Sequence, residues 1–260
     1  MPYETILFAT DGPIAAVTIN RPEALNALNT KVFAELHELF ERIGRDESIR
    51  VVVLKGAGEK AFVAGADIRE MAGMSRTQAE ARSWNGMRLY DRMRRLPQPI
   101  IASVQGYALG GGMLIALACD IRIASTAASF GYPEIKLGIF PGTGGTVLID
   151  RLLGAAAARA ICILGERLTA ERACQLGIVS KLVPPERLEA ETQAAAATVA
   201  GYSPLALREL KRALNASLEL DFAAAREIEI DAYGAAFDSH DRQEGMNAFL
   251  EKRPPRFTGK

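Results

Sequence analysis

Three consecutive glycines, Gly110 to Gly112, stand at the start of the strongly apolar segment YALGGGMLIALACD. They follow a predicted buried strand, Ile100 to Val104, and precede a predicted helix over residues 112–119. The first N–H groups of a helix have no internal partner and carry partial positive charge. Glycine lets a ligand approach that backbone without a Cβ in the way. The pattern indicates either an anion-binding turn or close packing of the loop against a neighbouring segment.

A second glycine turn lies in FVAGAD, Phe62 to Asp67, after the predicted buried strand Val51–Lys55 and before a predicted helical turn. Two backbone N–H donors from two such turns can converge on one oxygen. That arrangement is an oxyanion hole, in which each donor contributes about 3 kcal/mol of transition-state stabilisation.

A candidate proton carrier lies in SFGYPEIKLGIFPGTGG, Ser129 to Gly145, where Glu134 is the only carboxylate. Its neighbours are mostly apolar, which predicts a raised pKa and acid–base chemistry near neutral pH. The alternative is a partly exposed loop glutamate paired with Lys136.

The order of predicted elements favours an α/β core followed by helices. A hairpin (Ile6–Ala9 and Ala15–Asn20) precedes helices over Thr30–Arg45 and residues 75–96, and Ile121–Ala124 is a further strand. From Thr169 the chain is predicted to be mostly helical.

In the C-terminal third, Ser203 with Pro204 predicts a helix start. Asp241 with Glu244 has capping-box spacing for a last helix that ends before Pro254. We therefore predict two regions, 1–199 and 200–260.

Composition excludes several classes of function. Lys plus Arg equals Asp plus Glu, 31 each, so no bulk charge attracts nucleic acid or membranes. The chain has three scattered cysteines, no signal-peptide pattern and no apolar run of about 20 residues, so we expect a soluble cytoplasmic protein. The two histidines lack metal-ligand spacing, and no metal site is predicted.

Five segments in register make the chain similar to the enoyl-CoA hydratase/isomerase, or crotonase, family: ALNAL (24–28), KAFVAGADI (60–68), GYALGGG (106–112), FGYPEIKLGIFPGTGGT (130–146) and DRQEGMNAFLEKR (241–253). The resemblance implies a ββα spiral core over 1–199 and a C-terminal helical trimerisation region over 200–260. It implies a homo-oligomer, either a trimer or a dimer of trimers. It also implies an acyl-CoA substrate, with coenzyme A present as part of the thioester and no permanently bound cofactor.

The resemblance also assigns site residues. The thioester oxygen is expected on the backbone N–H groups of Ala66 and Gly111, with Glu134 as acid and base. Residues expected near the coenzyme A or acyl portion are Ala24, Leu25, Ala64, Gly65, Asp67, Ile68, Leu114 and Gly142.

One departure from the family pattern bears on the reaction. Hydratases of this family carry a second glutamate where this chain has Leu114, and hold a water between the two carboxylates with a backbone N–H that matches Gly142. A single glutamate is sufficient to shift a double bond from a 3-enoyl to a 2-enoyl thioester. The resemblance therefore leans toward isomerisation or specialised hydration, with thioester hydrolysis or decarboxylation as alternatives. We expect Trp84, Met87 and Leu114 to line the acyl pocket.

Two further interpretations compete. Gly56-Ala57-Gly58-Glu59-Lys60-Ala61 fits the dinucleotide-binding pattern G-x-G-x-x-A, which requires a helix to begin there. Four arginines at 88, 92, 94 and 95 leave open an RNA-binding crotonase relative. The favoured explanation is a solvated helix face, or an edge that meets the coenzyme A phosphates or another subunit.

Overall fold

The computed structural model describes residues 3–260, which form ten strands and eleven α-helices. The strands are β1 (Ile6–Asp11), β2 (Ile14–Ile19), β3 (Val51–Gly56), β4 (Ala61–Val63), β5 (Ile100–Val104), β6 (Tyr107–Leu109), β7 (Ile121–Ser125), β8 (Ser129–Gly131), β9 (Leu168–Thr169) and β10 (Lys181–Val183). The helices are α1 (Thr30–Gly44), α2 (Ile68–Met71), α3 (Arg76–Arg94), α4 (Gly111–Ala118), α5 (Gly145–Leu153), α6 (Ala155–Leu164), α7 (Ala170–Gln175), α8 (Leu188–Ala200), α9 (Pro204–Glu219), α10 (Phe222–Phe237) and α11 (His240–Leu250).

A strand–strand–helix unit repeats along the first part of the chain. Strands β1 and β2 both lie in a six-stranded sheet of order β1-β2-β3-β5-β7-β10. In the next three pairs the first strand (β3, β5 or β7) enters this sheet, and the second (β4, β6 or β8) enters a four-stranded sheet of order β4-β6-β8-β9. Strands β2, β3, β5, β7 and β10 run parallel, while β1 pairs antiparallel with β2. The α/β fold with a ββα core is therefore confirmed.

The β3 sequence VVVL is apolar without alternation because both faces of the large sheet are covered. Val52 and Leu54 belong to the main core, while Val51 and Val53 pack with residues of α8 on the opposite face. A continuous apolar run is what a strand buried on both faces requires.

Two N-caps in the C-terminal third show where the sequence interpretation succeeded and where it failed. Ser203 caps α9 by accepting from the Ala206 N–H, as predicted. The predicted capping box of α11 is wrong, because Ser239 is the cap. Asp241 lies inside the helix, buried, and Glu244 pairs with Arg253.

Asp241 instead binds the C-terminal segment that contains Thr258 and Gly259. Its carboxylate accepts from the Ser203 hydroxyl and from the backbone N–H groups of Thr258 and Gly259. A carboxylate that satisfies three donors explains why an aspartate is buried at this point.

The chain after Thr169 is also less uniformly helical than predicted. Strand β10 returns to the large sheet beside β7, with Leu182 opposite Ala124. Strands β4, β6 and β8 were not predicted, because three residues are too few to show a period-2 pattern.

Within residues 3–260, no helix is both long and apolar enough to cross a lipid bilayer. The division at residues 199 and 200 stays a prediction.

Lys211 on α9 is buried, with 7% of its surface exposed, and it joins that helix to the core. Its ammonium donates to the carbonyls of Met93 and Gln98 and to Asp120 Oδ2 at 2.7 Å. Burial lowers the pKa of Lys211, and Asp120 opposes that effect.

We predict that Lys211→Met lowers the free energy of unfolding by about 3 kcal/mol, because it removes the ammonium that pairs with the Asp120 carboxylate and donates to two carbonyls. The matched control is Arg76→Met, which breaks an exposed ion pair with Glu80 and is expected to cost less than about 0.5 kcal/mol. Denaturant unfolding at fixed protein concentration measures both. Equal losses in the two variants would contradict the prediction.

Candidate active site

The glycine turn at Gly65 is held in place by a short bridge to Leu28. Leu28 donates to the Gly65 carbonyl at 2.8 Å, and Asp67 donates to the Leu28 carbonyl at 2.9 Å. Successive peptide groups of an extended segment point to opposite sides. The Ala66 N–H, which lies between these two bonds, therefore points away from Leu28.

The three glycines at the start of α4 each meet a different neighbour. Gly110 has φ +54°, and a Cβ there would lie 2.7 Å from Glu134 Oε1. A Cβ on Gly112 would lie 1.9 Å from the Val63 carbonyl oxygen. Close packing, one of the two interpretations of the triple glycine, is therefore present, and it brings the start of α4 next to β4 and the Gly65 turn. Anion binding at this turn stays a prediction.

The residues of the two predicted donors, Ala66 and Gly111, lie close together and line the same cavity. The Ala66 nitrogen lies 3.9 Å from the position that a Cβ on Gly111 would take. In the described part of the chain, neither the Ala66 nor the Gly111 N–H donates to a backbone carbonyl. Gly111 is the first residue of α4, so its N–H adds the partial positive charge of a helix N-terminus.

Glu134 lies in a short 3-10 turn, Pro133–Leu137, with its carboxyl group against Gly110. Its Oε2 is buried and has no hydrogen-bond partner within residues 3–260. Burial raises the pKa of Glu134, and its own backbone amide offsets the shift only in part. Within the described chain, Glu134 forms no ion pair with Lys136, which was the alternative interpretation. The raised pKa predicted from the sequence is confirmed.

The source of that burial differs from the sequence argument. The apolar residues just after Glu134, Ile135 and Leu137, are exposed at 46% and 58%. The carboxyl group instead lies against Gly110, which is distant in sequence. The sequence therefore predicts the direction of the Glu134 pKa shift correctly, although the side chains of Ile135 and Leu137 do not bury the carboxyl group.

A cavity of about 140 Å³ brings most of the predicted site residues together. The predicted residues that line it are Ala64, Gly65, Ala66, Ile68, Gly111, Leu114, Glu134 and Gly142. Among its lining residues in the described chain, Glu134 is the single carboxylate. Leu114 is 3% exposed and forms an apolar wall of this cavity.

Three residues predicted to contact coenzyme A do not line this cavity. Ala24 ends a 3-10 turn, and Leu25 follows it in the left-handed conformation with φ 51°. The Leu25 carbonyl accepts from the Ala64 N–H, so this loop lies beside the glycine turn at Gly65. Asp67 caps α2 and pairs with Arg21 at 3.0 Å.

The expectation that the Gly142 N–H is free to hold a water is wrong for this conformation. That N–H donates to the Phe140 carbonyl at 2.6 Å, and the Gly142 carbonyl accepts from the Ser83 hydroxyl. Gly142 therefore contributes backbone to the wall, without a free donor.

Sequence reasoning missed Arg82 and Tyr90, which line the cavity from α3. Burial raises the pKa of Tyr90, so its hydroxyl stays neutral. The signal was the i, i+4, i+8 spacing of Arg82, Gly86 and Tyr90. At Gly86 a Cβ would lie 2.2 Å from Thr143 Cγ2, so a glycine is required for α3 to pack this closely.

A second cavity of about 300 Å³ adjoins the first. The two share Tyr90, Leu114 and Thr143 as lining residues. Met87 also lines the second cavity, as expected for an acyl pocket. Trp84 lines neither cavity and is 63% exposed, so its expected role is wrong.

The structure argues against the competing interpretations. After Gly58 the chain forms strand β4 instead of the helix that a dinucleotide site needs. Of the four arginines, Arg92 pairs with Glu41, and Arg94 and Arg95 both pair with Glu219. Within residues 3–260, no group of three or more potential metal ligands lies together.

Comparison with known proteins gives a consistent family. The sequence model of the family described as "Enoyl-CoA hydratase/isomerase" matches residues 9–260. The short-chain-enoyl-CoA hydratase of Clostridium acetobutylicum is 40% identical, over 97% of each chain. The crotonyl-CoA hydratase of Syntrophomonas wolfei is 38% identical over the full length of both. The crystal structure of an enoyl-CoA hydratase from Bacillus anthracis superimposes with a TM-score of 0.95 at 36% identity, covering 99% of this chain and 100% of the other.

We predict that Glu134→Gln stabilises the fold at alkaline pH relative to wild type. Because the pKa of Glu134 is raised in the folded state, the wild type binds this proton more tightly folded than unfolded. The stability that this proton gives the wild type is therefore lost as the pH rises above 4.5, the ordinary pKa of glutamate. The Glu134→Gln variant has no such loss, because glutamine does not titrate. Unfolding free energies at pH 4 and pH 8 measure the difference. A variant that loses stability relative to wild type between pH 4 and pH 8 would contradict the prediction.

Proposed function

Because the chain belongs to the enoyl-CoA hydratase/isomerase family, we propose that it acts on enoyl-CoA thioesters by stabilising an enolate on two backbone amides, with Glu134 as acid and base. The observation that carries this proposal is the composition of the cavity. It combines the Ala66 and Gly111 amides with one unpaired carboxyl group and an apolar wall at Leu114.

The reaction best matched to one carboxylate is a double-bond shift. The Glu134 carboxylate removes a proton from C2 of a 3-enoyl thioester, and the electron pair moves into a dienolate whose charge rests on the thioester oxygen. The N–H groups of Ala66 and Gly111 donate to that oxygen. The protonated Glu134 then returns the proton to C4, which gives the 2-enoyl thioester.

Leu114 favours this route over hydration. Addition of water requires a group that activates the water and a group that protonates C2, and the Leu114 side chain supplies neither. The occupied Gly142 N–H removes another means of fixing a water.

Hydration is the second candidate, and the relatives favour it. Proteins that match almost the whole chain at 38–40% identity are named short-chain-enoyl-CoA hydratase and crotonyl-CoA hydratase. In that reaction the Tyr90 hydroxyl, which lines the same cavity, is a neutral group able to hold a water beside Glu134.

The remaining assignments also belong to this proposal. Coenzyme A is part of the substrate, with its nucleotide end near Ala24, Leu25, Asp67 and Ile68. The proposed location is the cytoplasm. The proposed assembly is a homo-oligomer, a trimer or a dimer of trimers, and the large apolar side chains that the C-terminal helices expose support an association of subunits. Phe222 and Phe249, for example, are 83% and 82% exposed.

We predict that Glu134→Gln lowers kcat by about 10²-fold or more, because it removes proton transfer and keeps the shape of the side chain. Binding of an acyl-CoA, measured by calorimetry, should change far less than kcat. Unchanged turnover would rule out Glu134 as the acid and base.

We predict that the wild type isomerises a 3-enoyl thioester faster than it hydrates the matching 2-enoyl thioester in parallel assays. Leu114→Glu should raise the ratio of hydration to isomerisation by about tenfold, because it adds a carboxylate that can hold a water. Leu114→Gln is the matched control, with similar size and no proton carrier. Wild-type hydration at ordinary enzymatic rates without isomerisation would overturn the preferred reaction.

A further inference from the structure

Arg82 places a positive charge in the wall of the candidate active site, and neither the double-bond shift nor hydration uses it. We propose that Arg82 binds a carboxylate carried by the acyl group, so that the preferred substrates are enoyl-CoA thioesters of dicarboxylic acids. This inference rests on the proposed function and specifies the substrate class of the same site.

The guanidinium of Arg82 has unused hydrogen-bonding capacity. Its Nη2 donates to the Leu28 carbonyl at 3.0 Å. Its Nε is buried and has no partner among residues 3–260. One face of the group lies over the Phe33 ring, 5.3 Å from the ring centre. Burial lowers the pKa of Arg82, which reflects the cost of holding this charge away from water.

The nearest acidic groups are engaged elsewhere. Asp67 pairs with Arg21, and Glu70 accepts from the backbone N–H and the hydroxyl of Thr30. Within the described chain, Arg82 forms no ion pair. Arg82 is partly buried, and its Nε is shielded from solvent without a partner in the described chain. A carboxylate supplied by a ligand can offset the cost of this partly desolvated charge with two parallel hydrogen bonds.

The position of Arg82 favours the acyl group over the phosphates of coenzyme A as the source of the anion. Arg82 lines the same cavity as Glu134 and Leu114. Of the four residues that the proposal assigns to the nucleotide end, three (Ala24, Leu25 and Asp67) lie outside that cavity, and Ile68 lines it. Other side chains that line the cavity, including Phe33 and Met71, are apolar and suit an alkyl chain without any need for a cation.

The test compares two saturated thioesters of equal chain length, glutaryl-CoA and pentanoyl-CoA, by calorimetry. Because neither needs to react, the outcome does not depend on which reaction the enzyme catalyses. We expect wild type to bind glutaryl-CoA more tightly, and Arg82→Gln to reduce the preference by about tenfold or more. The glutamine side chain of this variant keeps an N–H donor for the Leu28 carbonyl. Arg82→Lys, which keeps the charge, should restore part of the preference.

The matched control is Arg88→Gln, an exposed position on the same helix, which should leave the preference unchanged. Equal weakening of both thioesters by Arg82→Gln would overturn the inference, since Arg82 would then act only by holding Leu28. If Arg82→Gln bound free coenzyme A more weakly than wild type does, the inference would also be overturned, because Arg82 would then recognise a phosphate of coenzyme A. A wild type that prefers pentanoyl-CoA contradicts it outright. Failure of both parallel turnover assays would instead count against the proposed function.

Discussion

The contact between the start of α4 and the Val63 carbonyl is the constraint on which the site depends. A side chain at Gly112 would overlap that oxygen, so only glycine lets the helix start reach strand β4. That approach brings the Gly111 amide to the turn that carries Ala66. The same bend places Gly110 where it leaves room for the Glu134 carboxyl group. The two proposed donors and the proposed proton carrier thus depend on one backbone packing contact.

The cavity also holds two polar atoms whose burial is unfavourable. Glu134 Oε2 and Arg82 Nε are buried without protein partners, and each represents a desolvation cost that the rest of the fold offsets. Because Leu114 is apolar, no second carboxylate lies at this position to repel the charge on Glu134. The raised pKa of Glu134 is the property that the proposed transfer of a proton from and back to the substrate requires. The same arrangement leaves the positive charge of Arg82 in the cavity wall free to select a substrate.

The sequence predicted the parts of the fold and site that depend on local pattern or on matched motifs. The buried strands β3, β5 and β7, the helix α1 and the glycine turns are in place. The short strands of the second sheet were missed, because three residues carry no periodicity. The burial of Glu134 and the position of Arg82 depend on contacts between segments far apart in the chain, which no local pattern reports. The cap of α11 was misassigned because Asp241 serves a tertiary hydrogen-bond network instead.

The most direct test is a crystal structure with an unreactive acyl-CoA analogue. The account predicts that the thioester oxygen lies about 3 Å from both the Ala66 and the Gly111 nitrogen atoms, with C2 facing the Glu134 carboxyl group. A thioester carbonyl that points away from the two amides, with its oxygen bound elsewhere, would contradict it.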